Sequence, residues 1–199
     1  KQDNLQKETN DKSVSSTKWT ISGELKAVTP FFFGVKSSNK QTSDTILLNR
    51  DNSFRLPSSI IRGVLRRDLR EVIGNGCNMP IGGNPCDCPV CQTMKRIIVE
   101  DGGTSCIDPP EIRYRIRLNN HTRTVESGAL FDIETGYQGM NFSFKLHVEV
   151  KGHKIDENLK IVLGLWKDAK AVLGGNSGSG FGRFCLGNLQ MNSWVLKSK

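Results

Sequence analysis

The sequence predicts an α+β domain with a largely antiparallel sheet. Two helical patterns, at residues 60–73 and 159–173, separate runs in which apolar and polar residues alternate, most clearly at residues 142–150. A Gly-containing segment closes each helical pattern. The resulting order of strand, helix, insertion, strands, helix and strand fits a ferredoxin-like βαββαβ core.

The first segments of the chain divide into a tail and a strand. Residues 1–17 contain no aromatic residue and few aliphatic ones, so they predict a disordered tail or linker, and the domain is expected at residues 18–199. Residues 19–28 alternate as a strand, and residues 36–45 are a polar loop. Further strands are predicted at residues 93–101, 112–118, 142–150 and 183–189.

The composition limits the class of partner and the compartment. The 199 residues carry a net charge of +8, which favours polyanionic partners. No run approaches about 18 apolar residues and no export signal is visible, so we expect neither a membrane span nor secretion. The first residue is Lys, which is compatible with a segment of a longer polypeptide.

The helix at residues 60–73 follows a turn at residues 56–59 and places its apolar side chains on one face. Its arginines recur at helical spacing along a second face: Arg62, Arg66 and Arg70, with Arg67 beside them. A line of guanidinium groups suits a phosphate backbone, because each planar fork can hold two oxygens. A solvated basic face is the alternative. Ser58 or Ser59 is the expected N-cap.

Four of the six cysteines crowd into an insertion at about residues 74–92. They are Cys77, Cys86, Cys88 and Cys91. Thiolates bind zinc tetrahedrally, and four of them leave no open position for a substrate, so the pattern predicts a structural zinc site in a reducing compartment. An iron–sulfur cluster and four free thiols are the alternatives. Cys106 and Cys185 stand alone.

Two further segments suit a phosphate backbone. The strand at residues 112–118 alternates strictly and continues towards residue 125 as an arginine-rich hairpin, whose polar face is Arg113, Arg115 and Arg117, with His121 and Arg123 near its turn. The five glycines at residues 174–182 predict a loop whose amides cradle phosphate. A solvated strand face and a flexible connection are the respective alternatives.

Two carboxylates lie near this basic surface. Asp132 has apolar neighbours that predict a strand, and Asp44 belongs to the first polar loop. A carboxylate in an RNA-binding surface can accept a proton from a 2′-hydroxyl or help to hold a divalent ion. By spacing alone, an ordinary surface or turn Asp is the favoured interpretation of each residue.

Together these segments resemble the RAMP superfamily of CRISPR proteins, and specifically the backbone subunits of type III effectors. The first helix of those subunits follows a Pro-Ser-Ser-x-x-(Arg/Lys)-Gly-x-x-Arg motif, which residues 57–66 match. The resemblance is greatest to one backbone domain of the single-chain type III-E effectors and covers about residues 18–196. The similar segments are residues 28–35, 61–70, 76–91, 108–116, 128–136, 151–154 and 173–184.

The resemblance implies a modified RRM-like fold that binds guide RNA, with a zinc-binding insertion and a β-hairpin thumb that kinks the guide–target duplex. It implies that Asp132, in the run LFDIE, cuts the target RNA. Multi-subunit relatives carry the acid in the first loop, where Asp44 is nearest, although its spacing to Pro57 does not match. Ser179, Gly180 and Phe181 replace a Thr-Gly-Lys run, which removes one cation from the guide site.

The implied function is guide-directed, Mg²⁺-dependent cleavage of target RNA by a cytoplasmic prokaryotic effector. Asp132 would promote attack of a 2′-hydroxyl on the adjacent phosphate, with arginines of the hairpin stabilising the developing charge and His121 as a candidate proton donor. The partners would be guide RNA (crRNA), single-stranded target RNA and neighbouring backbone domains. The expected RNA contacts are Ser58, Ser59, Arg62, Arg66, Arg67, Arg115, Arg117, Arg123, Gly178, Gly180 and Arg183.

Two other functions remain open at this point. One is a non-catalytic backbone subunit that packages guide RNA, and the run around Asp132 argues against it. The other is a zinc-stabilised RNA-binding domain outside CRISPR systems, which would carry RNA of mixed sequence.

Overall fold

The computed structural model describes residues 16–35, 45–46, 51–74, 86–105, 108–119, 121–151, 154–175 and 177–196. The first strand begins at Ser16, two residues before the predicted start of the domain. Thr17 is already buried, with 1% of its surface exposed. The remainder of the predicted tail lies outside the described residues.

The described residues form several long strands and helices together with strands of only two or three residues. The strands are β1 Ser16–Ala27, β2 Gly34–Val35, β3 Thr45–Ile46, β4 Arg55–Leu56, β5 Ile97–Val99, β6 Gly102–Gly103, β7 Glu111–Leu118, β8 Val125–Thr135, β9 Asn141–Lys151, β10 Ala171–Val172 and β11 Arg183–Leu196. The helices are α1 Ser58–Ile73, α2 Pro89–Lys95 and α3 Glu157–Lys167, with a 3-10 turn at Ser177–Ser179. None of the helices in the described ranges is long and apolar enough to cross a membrane.

The largest sheet is antiparallel, with strand order β10-β11-β1-β9-β5. Four strands of this sheet and the helices α1 and α3 occur along the chain in the order β1, α1, β5, β9, α3 and β11. Two helices therefore alternate with the strands of an antiparallel sheet, which confirms the predicted α+β class.

One face of the sheet is buried. Along β9, Phe142, Phe144 and Leu146 are buried while the residues between them are exposed, which is the alternation that the sequence predicted. These side chains belong to one cluster with the buried faces of α1 and α3. Burying each such side chain contributes about 1.5–3 kcal/mol, so this cluster is the main source of stability.

Three predicted boundaries are wrong. The last strand, predicted to end at residue 189, continues to Leu196 as β11. A strand was predicted from Thr93, but Thr93 lies in helix α2, and strand β5 begins only at Ile97. The helix forms there because Cys88 caps it and Pro89 occupies its first position. The helix predicted to continue to residue 173 ends at Lys167. It ends early because residues 171 and 172 pair with β11 instead.

Helix α1 ends as predicted and begins differently. Gly74 closes it in the left-handed conformation, with φ of 71°, and donates to the carbonyl of Arg70. The predicted serine N-cap is wrong, because Ser58 is the first helical residue and Pro57, at the cap position, offers no side chain. Asp101 replaces the cap: its Oδ1 accepts a hydrogen bond of 2.7 Å from the backbone amide of Ser58.

The hydrogen bonds to Asp101 lower the pKa of its carboxyl to about 2. The backbone amide of Ser58 is the largest cause, the Ser58 side chain the second, and Arg55, at 2.9 Å, the third. The folded pKa lies below the ordinary value of 3.8, so the stabilisation is complete above about pH 4 and is lost as the pH falls towards 2.

Asp101→Ala is therefore expected to lower the free energy of unfolding at neutral pH by about 1 kcal/mol, a typical capping contribution. Urea unfolding at pH 7 and pH 3 measures this free energy. The difference in free energy of unfolding between the variant and the native protein should be smaller at pH 3. Asp168→Ala removes an exposed carboxylate after α3 and is the control. A difference that is the same at both pH values would contradict this account of Asp101.

Candidate nucleic-acid interface and metal centre

The ribbon formed by β7 and β8 has two chemically different faces. Directly paired residues share a face, so Arg113 lies beside Ile133, and Tyr114 lies beside Asp132. Ile133 is buried, whereas Tyr114 is 72% exposed. The arginines and Asp132 therefore extend from opposite faces, which we call the arginine face and the acid face.

The arginine face lies against the glycine-rich loop. The guanidinium carbon of Arg115 lies 4.8 Å from the centre of the Phe181 ring, and that of Arg113 lies 5.7 Å from it. Both distances are within the range of cation–π attraction. Arg113 also pairs with Glu111 at 3.0 Å. Within the described part of the chain, Arg115 has no carboxylate partner, so its N–H donors remain available for an anion.

The loop itself is tightly constrained by backbone contacts. Gly182 has a φ of 79°, and a Cβ built on it would lie 2.1 Å from the carbonyl oxygen of Leu173, so only glycine fits. The amides of Gly175, Gly180 and Gly182 donate to carbonyls of the protein at 2.8–3.0 Å. These three amides therefore do not form the predicted phosphate cradle. Gly178 lies exposed in the 3-10 turn, and Arg183 is exposed at the start of β11.

The arginines of α1 differ in whether their guanidinium groups already make hydrogen bonds within the protein. Arg62 donates to the carbonyls of Ile97 and Met94 at 2.5 and 2.9 Å, and burial lowers the pKa of its guanidinium. Its first role is thus to join α1 to the end of α2. Arg66 is partly exposed and makes no hydrogen bond or ion pair with the described residues, so it remains the best candidate for an RNA contact on this helix.

Arg67 is held by a network that joins α1 to α3. It pairs with Asp68 at 2.8 Å, and the other carboxylate oxygen of Asp68 accepts a hydrogen bond of 2.7 Å from the indole of Trp166. Trp166 is fully buried and Asp68 nearly so. The positive charge of Arg67 is consequently offset before any RNA binds.

The N-terminus of α1 is occupied by a carboxylate. Helix N-termini attract phosphate, and Ser58 and Ser59 are predicted contacts there. Asp101 lies at this end, bound to Ser58 and paired with Arg55. A phosphate approaching Ser58 would meet that carboxylate, whereas Ser59 is exposed.

A depression of ≈ 530 Å³ separates α1, α3 and the glycine-rich loop. Its lining residues are Arg67, Asp68, Glu71, Leu165, Lys170, Val172, Ser177 and Gly178. Two cations and two carboxylates balance there. The depression therefore offers no excess of positive charge, and the arginine face is the stronger candidate for phosphate.

The acid face of the ribbon carries two carboxylates and an apolar stripe. Asp132 and Glu134 share this face, paired with Tyr114 and Ile112, and both carboxylates are partly exposed. The stripe consists of Ile112, Tyr114, Ile116, Leu118 and Val125, each about half exposed or more. The structure thus separates Asp132 from Arg115, which the sequence analysis expected to act beside it.

The ribbon turn is distant from Asp132. Asp132 pairs with Tyr114 and Val125 pairs with Leu118, so four positions of β7, about 13 Å, separate Asp132 from the ribbon end at which the turn begins. His121 and Arg123 are exposed in the turn, where Asn119 Oδ1 accepts from the amide of His121 at 2.8 Å. Within one molecule, His121 is therefore not placed to donate a proton at Asp132. The side chain of Arg117, another predicted RNA contact, is not among the side chains that the structure describes.

Three of the predicted metal ligands come together. The sulfur atoms of Cys86, Cys88 and Cys91 lie within 4.8 Å of one another, and those of Cys86 and Cys91 are 3.6 Å apart. Ligand atoms on a zinc tetrahedron with 2.3 Å bonds would be about 3.8 Å apart, whereas a disulfide would require about 2 Å. The amide of Cys91 also donates to the sulfur of Cys88, as a thiolate prefers. The cluster therefore fits a metal such as zinc.

Cys88→Ala is expected to remove bound zinc from the purified protein. Metal analysis by plasma mass spectrometry should find about one zinc per chain in the native protein and far less in the variant. Cys185→Ala is the matched control, since the Cys185 thiol donates to the carbonyl of Lys167 rather than joining the cluster. Iron with visible absorption in place of zinc would support the iron–sulfur alternative.

Three residues of the sequence analysis, Cys77, Asp44 and Cys106, lie outside the described residues. Conversely, the sequence analysis missed the contribution of Phe181, which it treated only as the loss of a cation. Phe181 lies between two glycines, and this pattern is a sequence signal for an aromatic ring presented by a loop. Glu134 was also missed, although strand alternation places it on the face of Asp132.

The sequence model of the RAMP superfamily matches residues 24–185. This span includes α1, the cysteine cluster, the ribbon and the glycine-rich loop, and it is most of the chain. No curated protein sequence matches the chain significantly. The chain therefore belongs to the RAMP superfamily, whose members bind RNA in CRISPR-associated complexes.

Proposed function

We propose that this chain is a guide-RNA-binding backbone domain of a type III CRISPR effector. The observation that carries the proposal is the convergence of the arginine face with the glycine-rich loop, where Arg115 has no carboxylate partner in the described ranges. A guanidinium fork held at a fixed position suits a phosphodiester chain. The net charge of +8 adds a long-range attraction of the same sign.

The fold supports the same proposal. Four strands of the main sheet lie in the order β11-β1-β9-β5, and the chain visits them as β-α-β-β-α-β. This order supports a ferredoxin-like core. We propose that the cysteine cluster completes a zinc-binding insertion with Cys77 as the fourth ligand, and that the ribbon is the thumb.

We propose in addition that Asp132 cleaves the target RNA paired with the guide. Its partly exposed position on the outer face of the ribbon supports access by a strand that does not lie on the arginine face. Asp132 would accept the 2′-hydroxyl proton as that oxygen attacks the adjacent phosphate. Magnesium would stabilise the developing charge, with its remaining ligands taken from RNA, water or a neighbouring chain, because no cluster of three metal-binding side chains surrounds Asp132 among the described residues.

One observation favours the alternative of a non-catalytic guide-binding domain. The face of Asp132 presents Tyr114 and other apolar side chains, and the described cations of the ribbon strands lie on the opposite face. A face of this kind is also suited to packing against a neighbouring domain. Cleavage assays on Asp132 variants separate the two functions.

The RNA-binding proposal is tested by removing the arginine face. Arg113→Gln with Arg115→Gln is expected to weaken binding of single-stranded RNA about 100-fold or more, since two charge-assisted contacts are lost. The slope of log affinity against log salt should fall by about 1.4. The matched control is Lys18→Gln with Arg96→Gln, which removes the same charge from exposed positions outside the ribbon and loop. Equal losses in both double variants would contradict a localised binding site.

A further inference from the structure

Phe181 contacts the arginine face at the point where a phosphate-binding loop would be expected to supply a cation. Its ring lies 4.8 Å from the Arg115 guanidinium carbon and 5.7 Å from that of Arg113. The loop supplies no cation of its own between Gly174 and Gly182. Two cations from another element therefore converge on the aromatic residue of the loop.

A single segment fixes the loop and the ribbon relative to each other. Residues 30–32 accept amide hydrogen bonds from both: Pro30 from Gly182, Phe32 from Gly175, and Phe31 from Gly136 at the base of the ribbon, all at 2.8–3.0 Å. Phe31 also donates back to Gly136 and packs its ring over it. The contact between Phe181 and the arginines is thus set by the backbone.

Stacking on an aromatic ring orients an arginine without consuming its hydrogen bonds. The N–H groups of a guanidinium lie in its plane, so a ring on one side leaves them directed outwards. The loop amides of Gly180 and Gly182 are already bonded to the protein. The donors available for a phosphate at this junction are therefore those of Arg115, followed by those of Arg113.

We propose that Phe181 is a positioning residue that holds Arg115 and Arg113 as one binding patch for the phosphodiester backbone of RNA. In this chain the ribbon supplies the positive charge and the loop supplies the ring that orients it. The inference rests on the RNA-binding function proposed above. It adds that the binding strength depends on the ring of Phe181 through the two arginines.

The test compares binding of labelled single-stranded RNA by the full chain and three substitutions of Phe181. Phe181→Leu keeps an apolar side chain but removes the ring, and should weaken binding about three- to tenfold. Phe181→Tyr and Phe181→Trp keep an aromatic face and should restore most of the affinity. The thermal midpoint of Phe181→Leu should match that of the native protein, because Phe181 is only partly buried.

A double-mutant cycle shows whether Phe181 acts through the arginines. In the background of Arg113→Gln with Arg115→Gln, Phe181→Leu should have almost no further effect. The nitrogen-bound proton of the Arg115 side chain should also lose its ring-current shift in Phe181→Leu, as read by NMR. An unchanged affinity in the single variant would overturn the inference while leaving RNA binding intact.

Two other outcomes would also overturn the inference. An equal loss with and without the arginines would show that Phe181 stacks directly on a base. A native chain that does not bind RNA at all would overturn both this inference and the proposed function.

Discussion

Asp132→Asn is expected to lower the rate of guide-directed target cleavage by about 10²- to 10⁴-fold in the assembled effector, the usual contribution of a positioned general base. The amide has nearly the shape of the carboxylate, but it cannot accept the proton of a 2′-hydroxyl. The rate is measured with labelled target RNA opposite this domain, in the presence of Mg²⁺. The affinity for guide RNA should stay unchanged, because Arg115 lies on the other face of the ribbon.

Asp168→Asn is the control for this substitution, because it removes an exposed carboxylate outside the ribbon. The expected products are a 2′,3′-cyclic phosphate and a 5′-hydroxyl. Glu134→Gln should have an intermediate effect if the second carboxylate of the acid face helps to hold the divalent ion. Cleavage at the full rate by Asp132→Asn would contradict the catalytic proposal and favour a structural guide-binding domain.

Asp68→Ala is expected to lower the free energy of unfolding by about 2–4 kcal/mol. The substitution leaves the buried indole N–H of Trp166 without an acceptor and leaves Arg67 without its carboxylate partner. For a domain of this size, the thermal midpoint should fall by about 5–15 °C. Calorimetry or urea unfolding of the purified chain measures the change.

Two further variants separate the parts of this network. Asp68→Asn keeps an oxygen that accepts the hydrogen bond of the Trp166 indole. It should therefore lower the free energy of unfolding by about half as much as Asp68→Ala does. Glu71→Ala removes an exposed carboxylate one turn along the helix and should change stability by less than about 0.5 kcal/mol. If Glu71→Ala were as destabilising as Asp68→Ala, the hydrogen bond to Trp166 would not be what joins α1 to α3.

Sequence patterns that lie within a single segment correctly predicted the end of α1 and the strands β7 and β9. The stop at Gly74 and the strict alternation of β7 and β9 depend only on neighbouring residues, and the sequence placed them within a residue or two. The cysteine spacing likewise indicated the metal cluster. These signals are local because helix caps and strand pleats are local.

Contacts between distant segments were not predictable in the same way. Asp101 caps α1 from 43 positions away, and Arg62 reaches carbonyls more than 30 positions away. The opposite placement of Asp132 and Arg115 depends on the register between two strands, which alternation within each strand does not fix. Similarly, the contact of Phe181 with the arginines of β7 follows from hydrogen bonds that residues 30–32 make to the glycine-rich loop and to Gly136 at the base of the ribbon.

The most direct test of the central claim is the sequence of the RNA that remains bound when the chain is purified from cells carrying a CRISPR array. A domain that binds guide RNA should retain short RNAs with a repeat-derived tag, and Arg113→Gln with Arg115→Gln should lose them. Lys18→Gln with Arg96→Gln should retain them. Bound RNA of mixed cellular sequence without repeat-derived tags would contradict the account and favour an RNA-binding domain outside CRISPR effectors.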